Sequence, residues 1–266
     1  MPELNHTHQT YPNHVVEVMI EDQYNSHLDL MRFCSVDNSL VGVAGDTKKI
    51  RVYHATDATE KLAMGEGNTK NIEVAYGEED YTILMAQNRF PYYDEELMRD
   101  PMVVDTGVRH MTTDMFNTTQ ADIFAEFNKA TQVVNATAFD FGAFVDAVAM
   151  LPGENQEERE VFAFVHPNDK AAIRKALKDD LKYVEAYVRA GYIGTVAGVN
   201  LYVKQDAVEG TICGGTKKAV TYFIKKGVAV EQERDPNVRL NKIYSRKYYL
   251  VALTDERECF KITKGA

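Results

Sequence analysis

The chain has 266 residues, 45 % of them hydrophobic and 26 % charged, with a formal net charge of −10. That length can bury a substantial core in one large domain or two small ones. The acidic balance excludes a nucleic-acid binder built on a broad basic surface, but not a protein that encloses nucleic acid without gripping it. Cys34, Cys213 and Cys259 are far apart and form no C-x-x-C pair, which excludes a disulfide framework or a zinc ribbon. No basic start followed by an apolar run marks a signal peptide. No stretch approaches ~18 consecutive apolar residues, so no membrane-spanning segment is expected.

In chain order, residues 1–30 are polar, with His6, His8 and His14 among Asn, Thr and Gln. Their spacing fixes no single face and no carboxylate completes a metal set, so they read as an extended arm with a weak apolar patch at Val15–Ile20. From Lys48 the pattern has period two. Ile50 and Val52 alternate with Arg51 and Tyr53, and Ile72, Val74 and Tyr76 with Glu73 and Ala75. A glycine-rich excursion, Gly65-Glu-Gly67-Asn-Thr-Lys70, lies between them. This predicts a protruding two-stranded arm, which is marginal alone in water and therefore needs a surface to lie on.

Tyr81–Met85 reads as a buried strand. The acidic run Tyr93-Asp-Glu-Glu-Leu-Met-Arg-Asp100 reads as a short helix stopped by Pro101. Val104, Val108, Met111, Met115, Ile123, Phe127, Ala130 and Val134 then fall at i, i+3, i+4 spacing, predicting one long amphipathic helix from about Asp105 to Val134. Asp140 can cap a helix over Phe141–Leu151, ended by Pro152-Gly153. Val161-Phe-Ala-Phe-Val165 is a continuous apolar run, hence a central strand. His166-Pro-Asn-Asp makes its exit turn, with Asn168 or Asp169 capping a helix through Leu177, and Leu181, Val184 and Val188 carry a further helical segment. Strands are expected at Val199–Val203, Ala219–Ile224, Val228–Gln232, Ile243–Leu253 and Cys259–Ile262. The fold class is α+β, with helices segregated from mostly antiparallel sheets.

Candidate chemistry is sparse. Gly210, Gly215, Thr216 and Lys217 in "EGTICGGTKKAV" come near a phosphate-cradling loop. The β-branched, aromatic run after them favours a strand, and a phosphate loop needs a helix there; the stretch reads as a glycine-rich turn. His166 and Asp169 follow a buried strand, a place that often carries catalysis, and a small-molecule enzyme would centre there. No serine lies in G-x-S-x-G, and Cys34 and Cys213 lack a nucleophile's flank. Asp94, Glu95 and Glu96 read as a solvated face. Lys217-Lys218 and Lys225-Lys226, with aromatics between, read as the polar side of a strand. No catalytic, cofactor or metal residues are assigned.

The order of elements resembles the major capsid protein of tailed bacteriophages, the Hong Kong 97-type fold, over roughly residues 35–266. That family shows an E-G pair in its extended loop, matched by Glu66-Gly67. It then shows a strand (Tyr81–Met85), a short acidic helix (Tyr93–Asp100) and a long spine helix (about Asp105–Val134). A helix, an apolar strand ending in an N-P-like turn and a second helix open its axial domain; Phe141–Leu151, Val161–Val165, His166-Pro167-Asn168 and Lys170–Leu177 fit. Its "G-x-P-V" strand is matched by Gly198-Val199-Asn200, without the proline. "VEQERDPNVRLNKIYSRKYYLVALTDERECFKIT" resembles the peripheral domain. The resemblance implies an N-terminal arm (1–45), an extended β-arm or E-loop (46–80), a peripheral domain with the spine helix (81–135 and 227–266) and an axial domain (136–226).

It implies a non-enzymatic subunit that self-assembles into pentamers and hexamers of an icosahedral shell around double-stranded DNA. Further partners would be a separate scaffolding protein, a portal and decoration proteins; the chain has too few residues before the arm for a built-in scaffold. Shell assembly would place the protein in the virion, assembled in the host cytoplasm. Inter-subunit contacts are expected at Glu66, Lys70, Glu95, Arg99, Arg234, Asp235 and Arg239, the last three in a charged loop, Glu233–Lys242. Some members cross-link lysine to asparagine, for which Lys61 or Lys70 and Asn237 or Asn241 are the candidates; no cross-link is the default. A nanocompartment shell of the same fold around a cargo enzyme is the alternative.

Overall fold

The computed structural model describes residues 29–56, 58–152, 159–177 and 194–265. His6, His8, His14, Val15–Ile20, Gly153 and the expected helical segment through Leu181, Val184 and Val188 lie outside the described residues. The described chain enters through a 3-10 turn, Leu30–Phe33, whose Met31 N–H donates to the Asp29 carboxylate at 3.0 Å. A short strand follows, β1 (Ser35–Asp37).

The arm forms as the period-two pattern predicts. β2 (Thr47–Ala55) and β3 (Val74–Thr82) pair antiparallel with one another and with no other strand. β2 carries lysines where β3 carries acids, and Lys49 meets Glu78 at 3.5 Å and Asp80 at 3.6 Å. The arm's root is covered: Ile50, Tyr81 and Ile83 pack with Leu40 on Phe223, Leu250 and Ala252. Tyr81–Met85 is not one buried strand. β3 ends at Thr82, β4 (Leu84–Tyr93) begins two residues later, and Leu84 and Met85 are exposed. The run is the junction where the chain crosses from the arm to the edge of another sheet, so only Tyr81 and Ile83 of it are partly covered.

α1 (Asp94–Arg99) and α2 (Met102–Phe127) flank Pro101 as expected. α2 stops seven residues before Val134, which lies in β5 (Gln132–Ala136). Asn128, Lys129 and Ala130 close the last turn by donating to Phe124, Glu126 and Phe127 carbonyls. The β-branched residues beyond gain more as a strand, pairing parallel with β12 (Cys259–Lys264). The buried side of α2 recurs every fourth residue, at Gly107, Met111, Met115, Thr119, Ile123 and Phe127. That period overshoots a helical turn by about 40° per step, so the buried stripe winds around the helix. Polar Gln120 is buried on it because its side chain accepts from Leu30 N at 2.6 Å and donates to Asp29 at 3.2 Å, fixing the entering chain to α2.

α3 (Phe141–Ala149) is capped by Asp140, whose carboxylate accepts from Ala143 N at 3.0 Å. β6 (Val161–Val165) leads through Pro167 into α4 (Pro167–Ala176). β7 (Thr195–Val196), β8 (Val199–Val203), β9 (Thr211–Thr216), β10 (Val220–Asp235) and β11 (Leu240–Leu253) follow. The expected strands Ala219–Ile224 and Val228–Gln232 are halves of β10, which bends through register shifts between Ile224 and Ala229. The charged "loop" Glu233–Lys242 is likewise mostly strand: β10 and β11 stay paired to Asp235 and Leu240, leaving a four-residue turn.

Two sheets organise these strands. One has the order β1-β10-β11-β4, the other β5-β12-β9-β6-β8-β7. β6 is interior and buried on both faces, as its apolar run requires. Phe162 and Phe164 point into a core shared with Ile123, Phe124 and Phe127 of α2 and Tyr222, Tyr249 and Val251 of the other sheet. Val161, Ala163 and Val165 point the opposite way, against Phe144 and Ala147 of α3 and Ile173 of α4. α2 therefore lies between the two sheets, while α3 and α4 cover one outer face.

The "EGTICGGTKKAV" stretch is not a glycine-rich turn. Gly214 and Gly215 sit inside β9, between β6 and β12, and the turn falls after Thr216. A Cβ on Gly214 would lie 2.2 Å from the Phe162 carbonyl oxygen, and one on Gly215 2.2 Å from that of Glu258. The pair is there for close backbone approach, the second meaning a strand glycine can have.

Candidate subunit-contact surfaces

The expected contact residues fall at two places. Around the β10–β11 turn, Arg234 meets Asp94 at 2.9 Å and Arg239 meets Glu95 at 2.8 Å. Asn241, buried, donates its amide to the other Asp94 oxygen at 2.6 Å. The Arg239 backbone is left-handed, φ 54°, and its carbonyl accepts from Asp94 N at 3.1 Å. Glu96 accepts from Tyr93 N at 2.9 Å. The Asp94–Glu96 acids stay partly exposed, and each also has a partner at the start of α1, where the helix dipole favours negative charge. Asp235 accepts from Asn237 N at 3.0 Å, and Arg99 is exposed at the other end of α1. Structure thereby joins Glu95, Arg234 and Arg239 within one chain as a clamp between α1 and the hairpin tip.

Glu66 and Lys70 lie at the far end of the arm. Glu66 shapes the apex, accepting from Ala63 N at 3.2 Å while its own N–H donates to the Ala63 carbonyl at 3.1 Å. Glu60 accepts from both the N–H and the hydroxyl of Thr69 at 2.8 Å, and these two bonds hold its carboxyl below the usual range. Lys61, Leu62, Met64 and Lys70 are exposed. The cross-link candidates separate: Asn237 is exposed at the hairpin turn, whereas the Asn241 amide is engaged.

His166 has a structural task. Its Nδ1 accepts from Asn168 N at 3.2 Å, so His166 caps α4 and neither Asn168 nor Asp169 does. Pro167 forces this, since it fixes the first helical position and moves the cap one residue back. Buried Asp169 accepts from Gly210 N at 2.9 Å, tying α4 to the turn before β9. His166→Ala should cost about 1 kcal/mol, seen as a melting temperature lower by about 2–4 °C in calorimetry.

Buried groups missed in the sequence stabilise the body. Glu258 accepts from Arg159 at 2.8 Å and from the Thr216 hydroxyl at 2.7 Å. The Tyr249 hydroxyl donates to Asp122, and burial, with that bond, raises its pKa above the usual tyrosine value. No sequence signal marks these pairs, because their members are dozens of residues apart. Burial pushes the Cys34 and Cys259 thiols up to about 12, so at neutral pH they are protonated and inert. Among the described residues there is no cluster of three or more metal-ligating side chains, and no helix long and apolar enough to cross a membrane. A cleft of about 480 Å³ lies between β4 and α2.

Residues 78–262 match the model of a family described as phage capsid protein. The major capsid protein of Staphylococcus phage phiMR11 is 25 % identical over 268 residues, covering 95 % of this chain and 93 % of the relative. The capsid structure of cyanophage P-SCSP1u superposes with a TM-score of 0.72 at 12 % identity, over 96 % of this chain and 92 % of that one. The SrpI encapsulin of Synechococcus elongatus gives 0.64 at 12 % identity, over 88 % and 86 %. The chain therefore belongs to the phage capsid protein family and is a structural protein of the virion shell, with the Hong Kong 97-type fold.

Proposed function

We propose that many copies of this chain close into pentamers and hexamers of an icosahedral shell around double-stranded DNA, without catalytic turnover. The observation that carries this reading is the β2–β3 arm: beyond its root, Leu62, Met64, Ile72 and Val74 are apolar and exposed. Neighbouring subunits are the natural cover, since heterologous contacts of this kind close into rings. The net charge of −10 suits a container whose contents must move freely. Assembly in the host cytoplasm on a separate scaffolding protein, with portal and decoration proteins joining the shell, completes the proposal.

Negative-stain microscopy with light scattering should show closed shells or capsomer rings of the purified protein, or shells once a scaffold is supplied. A species that stays monomeric across salt, pH and scaffold would overturn the proposal. The encapsulin likeness makes a cargo-filled nanocompartment the second reading. Nuclease-protected DNA in particles from infected cells supports the virion, and protein cargo alone supports the compartment.

A further inference from the structure

We infer that the hollow at the root of the arm, where the β3–β4 junction passes α2, is a binding site for a small primary alkylammonium ion. The site is read on the folded chain alone and does not depend on the shell reading.

The hollow measures about 160 Å³ and is bounded by the junction, α2 and β11. That volume is below the range of drug-sized ligands and several times the ~30 Å³ share of one water molecule, so it suits a single head group on a short stem. Its charge comes from α2. Asp122 and Glu126 both line it, four residues apart on one side of the helix, a spacing that puts their Cβ atoms about 5–6 Å from each other. Glu126 is nine-tenths buried. Its Oε1 accepts from Lys129 Nζ at 2.6 Å, whereas Oε2 is enclosed and meets no donor. A buried carboxylate oxygen without a donor is costly, and an N–H arriving with an occupant would satisfy it.

The surroundings set the sign and shape of the occupant. The Tyr81 hydroxyl donates to Glu79 at 2.7 Å, and burial, that bond and the charges of Glu79, Glu126 and Glu256 raise its pKa above the usual tyrosine value. Carboxylates of β3, of α2 and of the 3-10 turn before β12 thus act on one point. Leu84, Ala125, Leu250 and Val251 make the rest of the wall apolar, which favours methylenes behind the charged head. An ammonium, compact and with three donors, suits two carboxylates one helical turn apart. A metal ion suits them less, because among the described residues no third ligating side chain completes a set.

The test is calorimetric titration of the folded full chain at neutral pH with n-butylammonium chloride, with 1-butanol and calcium chloride as controls. One saturable site per chain is expected, with a Kd of about 1–10 mM, and none for either control. Glu126→Gln should weaken it at least tenfold, the effect of losing a bond to a charged group, while Glu66→Gln at the arm apex leaves it unchanged. Ala125→Leu, at an exposed position on the wall, should block it without altering charge, and decides the matter if Glu126→Gln does not fold. Absence of saturable amine binding, or binding unchanged in Ala125→Leu, would overturn the site whether or not shells form. Run on subunits and on assembled shells, the titration also separates the sources of the head group. Binding to both marks a free amine, and binding to subunits alone marks a lysine supplied by another polypeptide in the shell.

Discussion

Gly214→Ala will leave little or no soluble, folded protein. The added methyl would sit 2.2 Å from the Phe162 carbonyl oxygen and 2.8 Å from the Ala163 Cα. Both are backbone atoms of β6, the interior strand, and neither can rotate away. Relief requires β6 and β9 to separate, which breaks their ladder and opens the cores on both faces of β6. Overpacking a core commonly costs about 1–3 kcal/mol; with rigid backbone on the far side the cost lies above that range, against a total stability of about 5–15 kcal/mol. Gly67→Ala on the arm is the control, with no atom within 4 Å of the new methyl, and should shift a urea midpoint by no more than about 0.5 kcal/mol equivalent. Equal midpoints for the two variants would refute the close approach of β6 and β9.

Glu258→Ala is expected to be the next most damaging change, at about 3–5 kcal/mol. The Glu258 side chain is 5 % exposed and that of Arg159 28 %. Truncation leaves a largely enclosed guanidinium without its carboxylate and the Thr216 hydroxyl without its acceptor. Glu258→Gln keeps an acceptor for Thr216 and should cost less. Urea melts of the two variants check the order, with an unchanged slope showing that the same surface is exposed on unfolding. A loss below about 1 kcal/mol in Glu258→Ala would place this pair among exposed ion pairs of small effect.

The sequence made some of this legible and concealed the rest for identifiable reasons. Val161–Val165 read correctly because a strand buried on both faces needs no alternation to be recognised. The strand pair was legible because Ile50 and Val52 alternate with Arg51 and Tyr53, and Val74 and Tyr76 flank Ala75, with a glycine-rich excursion between the two runs. Ala130 and Val134 misled, since they continue the helical spacing of α2; what stops the helix is pairing with β12, with contacts 129 residues away. Gly214-Gly215 misled because a glycine pair usually marks a turn, and here it marks two backbones in near contact. At the clamp, residue types were visible but partners were not: Arg234 and Asp94 are 140 residues apart. His166 looked reactive after a buried strand and is a helix cap, a difference set by the proline that follows it.

The strand order has a kinetic consequence. β5 touches its sheet only through β12, which lies between it and β9. β12 is made after every other strand, so a growing chain holds β5 without a partner, and Phe260 and Ile262 are missing from the core beside α3. Inserting β12 as a central element closes one of the longest loops in the molecule, and contacts of such separation form slowly, on the order of milliseconds to seconds. During that interval the flanking strands expose the edges and apolar faces on which chains aggregate. The yield of subunits will therefore depend on how well the cell shields this gap, and truncations that remove β12 should accumulate in the insoluble fraction while truncations of the arm do not.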